Sequence, residues 1–172
     1  MLISVDGFAA TDLVAAARQL KGKISTWDSS GIFFDLKDSI PAEQPATRTL
    51  LLLYAADLHF RLRWQIEPAL AEGQTVVAAP YVETGVAFGL GIGLQRKWLT
   101  ELFRFAPKPG AAYWIDNAHP TSRSHAKGRA RRVKAQPGFL EFCSAVLPPD
   151  FHVRLAAHFH ALEARGRCRV LR

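Results

Sequence analysis

The chain has 172 residues, of which 49% are hydrophobic and 22% charged, and its mean hydropathy is +0.02. This composition argues against a disordered chain and favours one globular domain with a sizeable core. The net charge of +7 favours anionic partners such as phosphates, nucleotides, nucleic acid or acidic proteins, without choosing among them.

Hydrophobic periodicity predicts strands that alternate with helices along the chain. A strand over Met1–Val5 precedes a helix over Thr11–Leu20, and a long helix is predicted over Thr47–Ala71. Later elements follow in the order strand Gln74–Ala79, helix Gln95–Phe105, strand Ala111–Asp116, helix Phe151–Arg165 and a final strand in CRVLR. This alternation is typical of a parallel sheet with helices on both faces, and we expect a single domain over residues 1–172.

Several function classes receive no support from the sequence. Cys143 and Cys168 match no zinc or redox spacing and are expected to be reduced, partly buried thiols. The histidines are not spaced as a metal pair, so no metal site is predicted. The apolar run at residues 50–56 is far too short to span a bilayer, and residues 1–20 show no signal-peptide pattern. We therefore expect a cytoplasmic protein.

Two segments resemble thymidylate kinases: LLLLYAADLHFRLRWQIEPALAEGQTVVAAPYVETGVAFG and the later WLTELFRFAPKPGAAYWID. In that family a long helix carries A-A-D-R and ends in P-A-L, a D-R-Y segment follows, and a later strand ends in L-D. The resemblance implies an α/β fold of the P-loop kinase type, a three-layer sandwich around a five-stranded parallel sheet. Asp116 stands at the L-D position and is a candidate for nucleotide binding or for a structural hydrogen bond.

The first loop departs from the family pattern D-G-x-G-K-S/T. Asp6 and Gly7 match, but Ala9 replaces the second glycine and Ala10 replaces the lysine. A phosphate loop surrounds phosphates with backbone N–H groups, and its lysine reaches the terminal ones. Gly7 and Thr11 remain weak candidates for phosphate binding, and capping of the helix is the favoured role of Thr11.

The other charged positions of the family are also changed. Pro80 replaces the arginine of D-R-Y, and Leu58 replaces the arginine of A-A-D-R. Tyr81 matches the D-R-Y segment and is a weak candidate for nucleotide binding. The T-R-E-P turn of the family corresponds to TWDS, in which Trp27 replaces the arginine and Asp28 is the candidate carboxylate. The sequence therefore keeps packing residues of the family and loses cations of its site.

A basic segment at about residues 118–136 corresponds in position to the mobile lid of the family. Its core, SRSHAKGRARRVK, contains six of the 22 lysines and arginines and no aromatic residue. It is consistent with a solvated loop, with a lid that clamps phosphate, or with a patch for nucleic acid or an acidic partner. Its candidate phosphate-binding residues are Arg123, Arg129, Arg131 and Arg132.

Phosphoryl transfer depends on positioning and on cations around the transferred group, so we expect a degenerate, non-catalytic family member. Such a pseudoenzyme would serve as a binding or scaffold subunit for a protein partner or a second copy, with Phe60 and Trp64 in the interface. The first alternative is a weak or atypical nucleoside monophosphate (dTMP) kinase that uses ATP and Mg²⁺. The second is nucleic-acid binding through the basic segment. No cofactor is expected unless the nucleotide site is retained.

Overall fold

A five-stranded, all-parallel sheet forms the centre of the computed structural model, which describes residues 1–33, 35, 46–116, 139–144 and 147–171, without the side chains of residues 10 and 11. The strands are β1 Leu2–Asp6, β2 Lys23–Thr26, β3 Val76–Ala79, β4 Ala111–Trp114 and β5 Arg169–Val170. They lie in the order β2-β3-β1-β4-β5, and every neighbouring pair is parallel. The predicted fold class is confirmed.

The helices occupy the connections between the strands. They are α1 Ala10–Gln19, α2 Thr47–Arg61, α3 Glu67–Ala71, α4 Val82–Gly91, α5 Arg96–Leu102, α6 Phe139–Phe142 and α7 Phe151–Ala164. The predicted long helix is confirmed as one run, in which a π-helical turn over Leu62–Ile66 joins α2 to α3. Pro68 cannot donate the backbone hydrogen bond to the carbonyl of Trp64, in keeping with an irregular turn at this place. No helix in the described ranges is long and apolar enough to cross a membrane.

Side-chain alternation along the strands divides the core into two layers. Ile3 and Val5 of β1 pack with Leu13 of α1 on one face of the sheet. Leu2 belongs to the larger cluster on the other face, which includes side chains of α2, α4 and α7. The cysteines are free and buried in this second layer, as expected. Because all five strands are parallel, their carboxyl ends lie along the same edge of the sheet. Sites of parallel α/β proteins usually lie at this edge.

Helix α4 was not predicted from the sequence. It packs closely against α5 and α7. A Cβ atom on Gly89 would lie 2.3 Å from Leu99, and one on Gly91 would lie 2.4 Å from Phe151. These glycines allow α5 and α7 to approach α4 closely. Helix α5 ends at Leu102, three residues before its predicted end, and Phe105 is 39% exposed.

Candidate functional site at the carboxyl edge of the sheet

The connection between β1 and α1 consists of Gly7, Phe8 and Ala9. Strand β1 runs to Asp6, one residue further than predicted, and α1 begins at Ala10. A phosphate loop of the G-x-x-x-x-G-K-[ST] type has six residues before its lysine. In the alignment of Asp6–Thr11 with D-G-x-G-K-S/T, the six positions before the lysine position are Ser4–Ala9. The first three of them belong to β1 here, so Gly7–Ala9 alone lie between strand and helix.

Two candidate phosphate-binding residues, Gly7 and Thr11, lie in or next to this turn. Thr11 is the second residue of α1, and the N-cap is Ala9 with φ −90° and ψ 130°, so the expectation that Thr11 caps the helix is wrong. The N–H of Gly7 lies 3.4 Å from the hydroxyl oxygen of Thr84, to which it donates a hydrogen bond. Phe8 follows Gly7 in the turn, and the centroid of its ring lies 4.3 Å from that of the His152 ring.

Asp6 lies at the end of β1 and is fully enclosed by the protein. Its Oδ1 accepts hydrogen bonds from the N–H of Tyr81 at 2.9 Å, the N–H of Thr84 at 3.0 Å and the Thr84 hydroxyl at 2.8 Å. Burial raises the pKa of Asp6 to about 6, against the opposing effect of these hydrogen bonds, and the negative charge of Glu83 raises it further. The charged neighbour that acts on Asp6 is thus an acid, which disfavours a phosphate at the same place.

A second polar cluster joins the long helix to the ends of β2 and β3. Arg61 and Asp57, four residues apart on α2, form a fully buried ion pair with 3.0 Å between Nε and Oδ2. The guanidinium also donates to the carbonyl oxygens of Pro80 at 2.9 Å and Ser25 at 3.4 Å. Asp57 in turn accepts from the N–H and hydroxyl of Ser30. Sequence reasoning missed Arg61, although its i, i+4 spacing from Asp57 was a usable signal.

Asp28 belongs to the same cluster and has a local structural role. Its backbone is in the left-handed region with φ 55°, and its N–H donates to Asp57 Oδ2 at 3.0 Å. Its Oδ1 accepts from the N–H of Phe33 at 2.8 Å. The carboxylate that was aligned with the family's nucleotide-binding turn therefore holds the segment after β2 in place.

Tyr81 and Asp116 lie apart from each other at this edge. Tyr81 is buried, and its hydroxyl donates to the carbonyl oxygen of Pro107 at 2.8 Å. Asp116 follows β4 and lines a cavity of about 290 Å³ together with Trp114 and Phe8. No group of three or more His, Cys, Asp or Glu side chains that could hold a metal ion occurs within the described part of the chain.

The remaining predicted residues divide into two groups. Phe60 and Trp64, the predicted interface residues, are 38% and 67% exposed on the long helix, so both side chains are accessible to a partner. The four lid-like arginines, Arg123, Arg129, Arg131 and Arg132, lie outside the described residues.

Comparisons with known proteins identify relatives of the chain, although no profile of a known protein family matches it. It is 32% identical over 133 residues to a thymidylate kinase of Synechococcus sp. strain RCC307, which covers 64% of this chain and 63% of that protein. It is 34% identical over 85 residues to a probable thymidylate kinase of Thermococcus kodakarensis, which covers 49% and 40%. The matches thus span less than two thirds of these relatives' lengths. A crystal structure of thymidylate kinase from Ehrlichia chaffeensis matches with TM-score 0.69 and 12% identity, over 99% of this chain and 89% of that one, which supports the fold.

Proposed function

We propose that this chain, which belongs to the thymidylate kinase family, is a non-catalytic member that works as a binding subunit. The observation that carries the proposal is the three-residue turn Gly7–Ala9 between β1 and α1. A turn of this length offers few backbone N–H groups to a phosphate, and it contains no cation. We infer that the chain keeps the fold and lacks a loop that binds ATP phosphates.

Charge around this turn supports the same conclusion. Phosphoryl transfer is accelerated mainly by positioned cations that stabilise negative charge on the transferred group. Here Asp6 and the neighbouring Glu83 lie beside the turn. The cation Arg61 contacts Asp57 through Nε and backbone carbonyl groups through Nη1, which leaves Nη2 without a hydrogen-bond partner among the described residues. The polar groups of this edge therefore hold strands and helices together, and we infer that they do not serve a reaction.

An apolar ridge on the long helix is the proposed binding surface. Leu52, Ala56, Phe60 and Trp64 are exposed at intervals of four residues, so they lie along one line of the helix surface. Ridges of this i, i+4 type interdigitate with the same ridge of another helix. The occupant we propose is a second copy of the chain, because such an interface is self-complementary in a two-fold dimer.

The test compares this chain with the Synechococcus thymidylate kinase under identical conditions. ATP consumption is measured with dTMP and Mg²⁺, and MgATP binding is measured by calorimetry. We expect kcat/KM at least about 10³-fold below the relative's, since loss of even one group that stabilises transition-state charge costs about 10²–10³-fold. Saturable binding at micromolar MgATP together with dTMP-dependent turnover would overturn the proposal.

The relatives' names favour one other candidate, a weak nucleoside monophosphate kinase. It differs in predicting ATP consumption that requires dTMP and is abolished when the lid-like arginines, residues 123–132, are replaced by alanine. Nucleic-acid binding through the same basic segment would instead give binding without turnover, with an affinity that falls steeply as salt rises.

A further inference from the structure

A cavity of about 630 Å³ lies on the α4 and α7 side of the sheet. Its lining residues include Gly110 and Ala111 at the start of β4 and Arg169 at the start of β5, so it opens near the amino ends of these strands. Gly7 and Asp116 are not among its lining residues. The cavity therefore leaves out Gly7 and Asp116, but it reaches Tyr81, the candidate residue that follows β3.

Small side chains on the sheet form the floor of the cavity. Ser4 of β1 pairs in register with Ala112 of β4, and both residues line the cavity. Larger residues at this pair would fill the space that the helices leave above the sheet. Ser4 is 1% exposed, and its hydroxyl has no hydrogen-bond partner among the described residues. A buried hydroxyl of this kind is a ready hydrogen-bonding group for a molecule in the cavity.

The walls are apolar and the rim is positively charged. Phe103 and Leu162 are buried side chains that contribute apolar surface. The exposed rim residues Lys108, Arg167 and Arg169 form no ion pair with any described residue. The acidic lining residue, Glu83, is already engaged with His158 at 2.9 Å. The three cations outnumber Glu83 among the charged lining residues, so the net charge of the lining is positive.

We propose that this cavity binds a small organic anion, with its apolar body between Phe103 and Leu162 and its acidic group toward Lys108 and Arg167. The volume lies within the range of about 300–1,000 Å³ that is usual for small-molecule sites. Cys168, which also lines the cavity, donates to the carbonyl oxygen of Phe159 at 3.7 Å. Burial, together with the negative charges of Glu163, Glu83 and Asp6, raises the pKa of this thiol to about 11, so it stays protonated at neutral pH.

The probe for the test is 8-anilinonaphthalene-1-sulfonate, an aromatic molecule whose sulfonate stands in for a carboxylate or phosphate. Fluorescence titration of the full chain should show saturable binding at one site per chain. Lys108→Glu combined with Arg167→Glu should weaken binding at least about tenfold, because both charge-assisted contacts become repulsive. Both residues are exposed, so folding should be unaffected. Ala112→Leu, which fills the floor, should abolish binding.

Two controls separate this site from other sources of dye binding. Lys97→Glu with Arg104→Glu changes the net charge equally at exposed positions outside the cavity, and should leave the affinity within about twofold. Phe60→Ser with Trp64→Ser removes the exposed apolar ridge and should have an equally small effect. Absence of saturable binding, or equal weakening by the Lys97 and Lys108 pairs of substitutions, would overturn the proposal. Both outcomes are independent of kinase activity.

Discussion

Two buried carboxylates near the carboxyl edge of the sheet have opposite surroundings. Asp57 has a cation, Arg61, at 3.0 Å on its own helix, and further donors from the segment after β2. Asp6 accepts three hydrogen bonds from neutral donors, and the charged neighbour that acts on it is Glu83. The charge of Asp57 is balanced by Arg61, although Nη2 of this guanidinium has no hydrogen-bond partner among the described residues, whereas no described cation balances the charge of Asp6.

This difference shows which of the two carboxylates stabilises the fold through its charge. The Asp57–Arg61 pair ties α2 to the ends of β2 and β3, so its loss would loosen three elements at once. Asp6 holds the start of α4 through Thr84, and its local role needs an acceptor oxygen but no charge. The charged form of Asp57 therefore stabilises the fold through its ion pair with Arg61, whereas the charged form of Asp6 lowers the stability of the fold.

The largest effect is expected at the Asp57–Arg61 pair. Arg61→Met leaves the Asp57 carboxylate buried without its cation, and should lower the free energy of unfolding by about 3–5 kcal/mol. Denaturant unfolding measures this loss. The double variant Asp57→Asn with Arg61→Met should recover at least part of it, because no isolated charge then remains. Arg63→Met, at an exposed position of the same helical run, should cost less than about 0.5 kcal/mol. An equal loss for Arg61→Met and Arg63→Met would refute the importance of the pair.

The next effect is a pH dependence centred on Asp6. Its folded-state pKa of about 6 lies above the ordinary value of 3.8, so the folded chain prefers the protonated carboxyl. This contribution to stability is full below pH 3.8 and is lost as pH rises through 6. Two pKa units correspond to about 2–3 kcal/mol. Asp6→Asn keeps an acceptor oxygen and should gain that much relative to the natural chain between pH 4 and pH 7, measured by denaturant unfolding at each pH.

A matched substitution controls for the loss of one negative charge. Asp12→Asn removes an exposed carboxylate near the start of α1. The difference in free energy of unfolding between this variant and the natural chain should not change by more than about 0.5 kcal/mol over the same pH range. If the free energy of unfolding of Asp6→Asn also differs from that of the natural chain by a constant amount between pH 4 and pH 7, Asp6 is not the group that titrates.

The sheet and the long helix could be predicted from the sequence because their signals are local. Strands buried on both faces appear as short apolar runs, and the buried positions of α2 repeat at helical spacing. Helix α4 could not be predicted in this way, because Gly85, Gly89 and Gly91 each lower helix propensity. They are required by contacts with Tyr54, Leu99 and Phe151, which come from other parts of the chain.

The candidate site was predicted only in part, for two physical reasons. Alignment with the family pattern gave the substitutions at Ala9 and Ala10, but it could not show that β1 runs to Asp6 and α1 begins at Ala10. The length of the turn depends on both ends, and these ends are set by the sheet and the packing of α1. The role of Arg61 was also hidden, since a basic residue on a helix is usually solvated and this one is fully buried.

A moderate effect is expected at the exposed ridge, which lies outside both carboxylate clusters. Phe60→Ser with Trp64→Ser should weaken self-association at least about 30-fold, since aromatic residues at an interface centre contribute about 2 kcal/mol or more. Sedimentation equilibrium measures the change. The free energy of unfolding of the monomer should hardly change, because neither side chain is in the core. A natural chain that stays monomeric at high concentration would show that the ridge does not bind a second copy.

The smallest effect is expected from restoring the family residues in the turn beside Asp6. Ala9→Gly with Ala10→Lys supplies the missing glycine and lysine, and glycine at an N-cap changes helix stability by only a few tenths of a kcal/mol. Calorimetry should nevertheless detect no MgATP binding, because Gly7, Phe8 and the new glycine still form a three-residue turn beside a buried acid. The informative partner variant adds three residues after Phe8, which completes the pattern G-x-x-x-x-G-K-T ending at Thr11. Binding that appears only with this insertion would mean that the length of the turn, more than its residue types, abolished the phosphate site. Binding by the double substitution alone would contradict the argument from length and would assign the loss to the lysine.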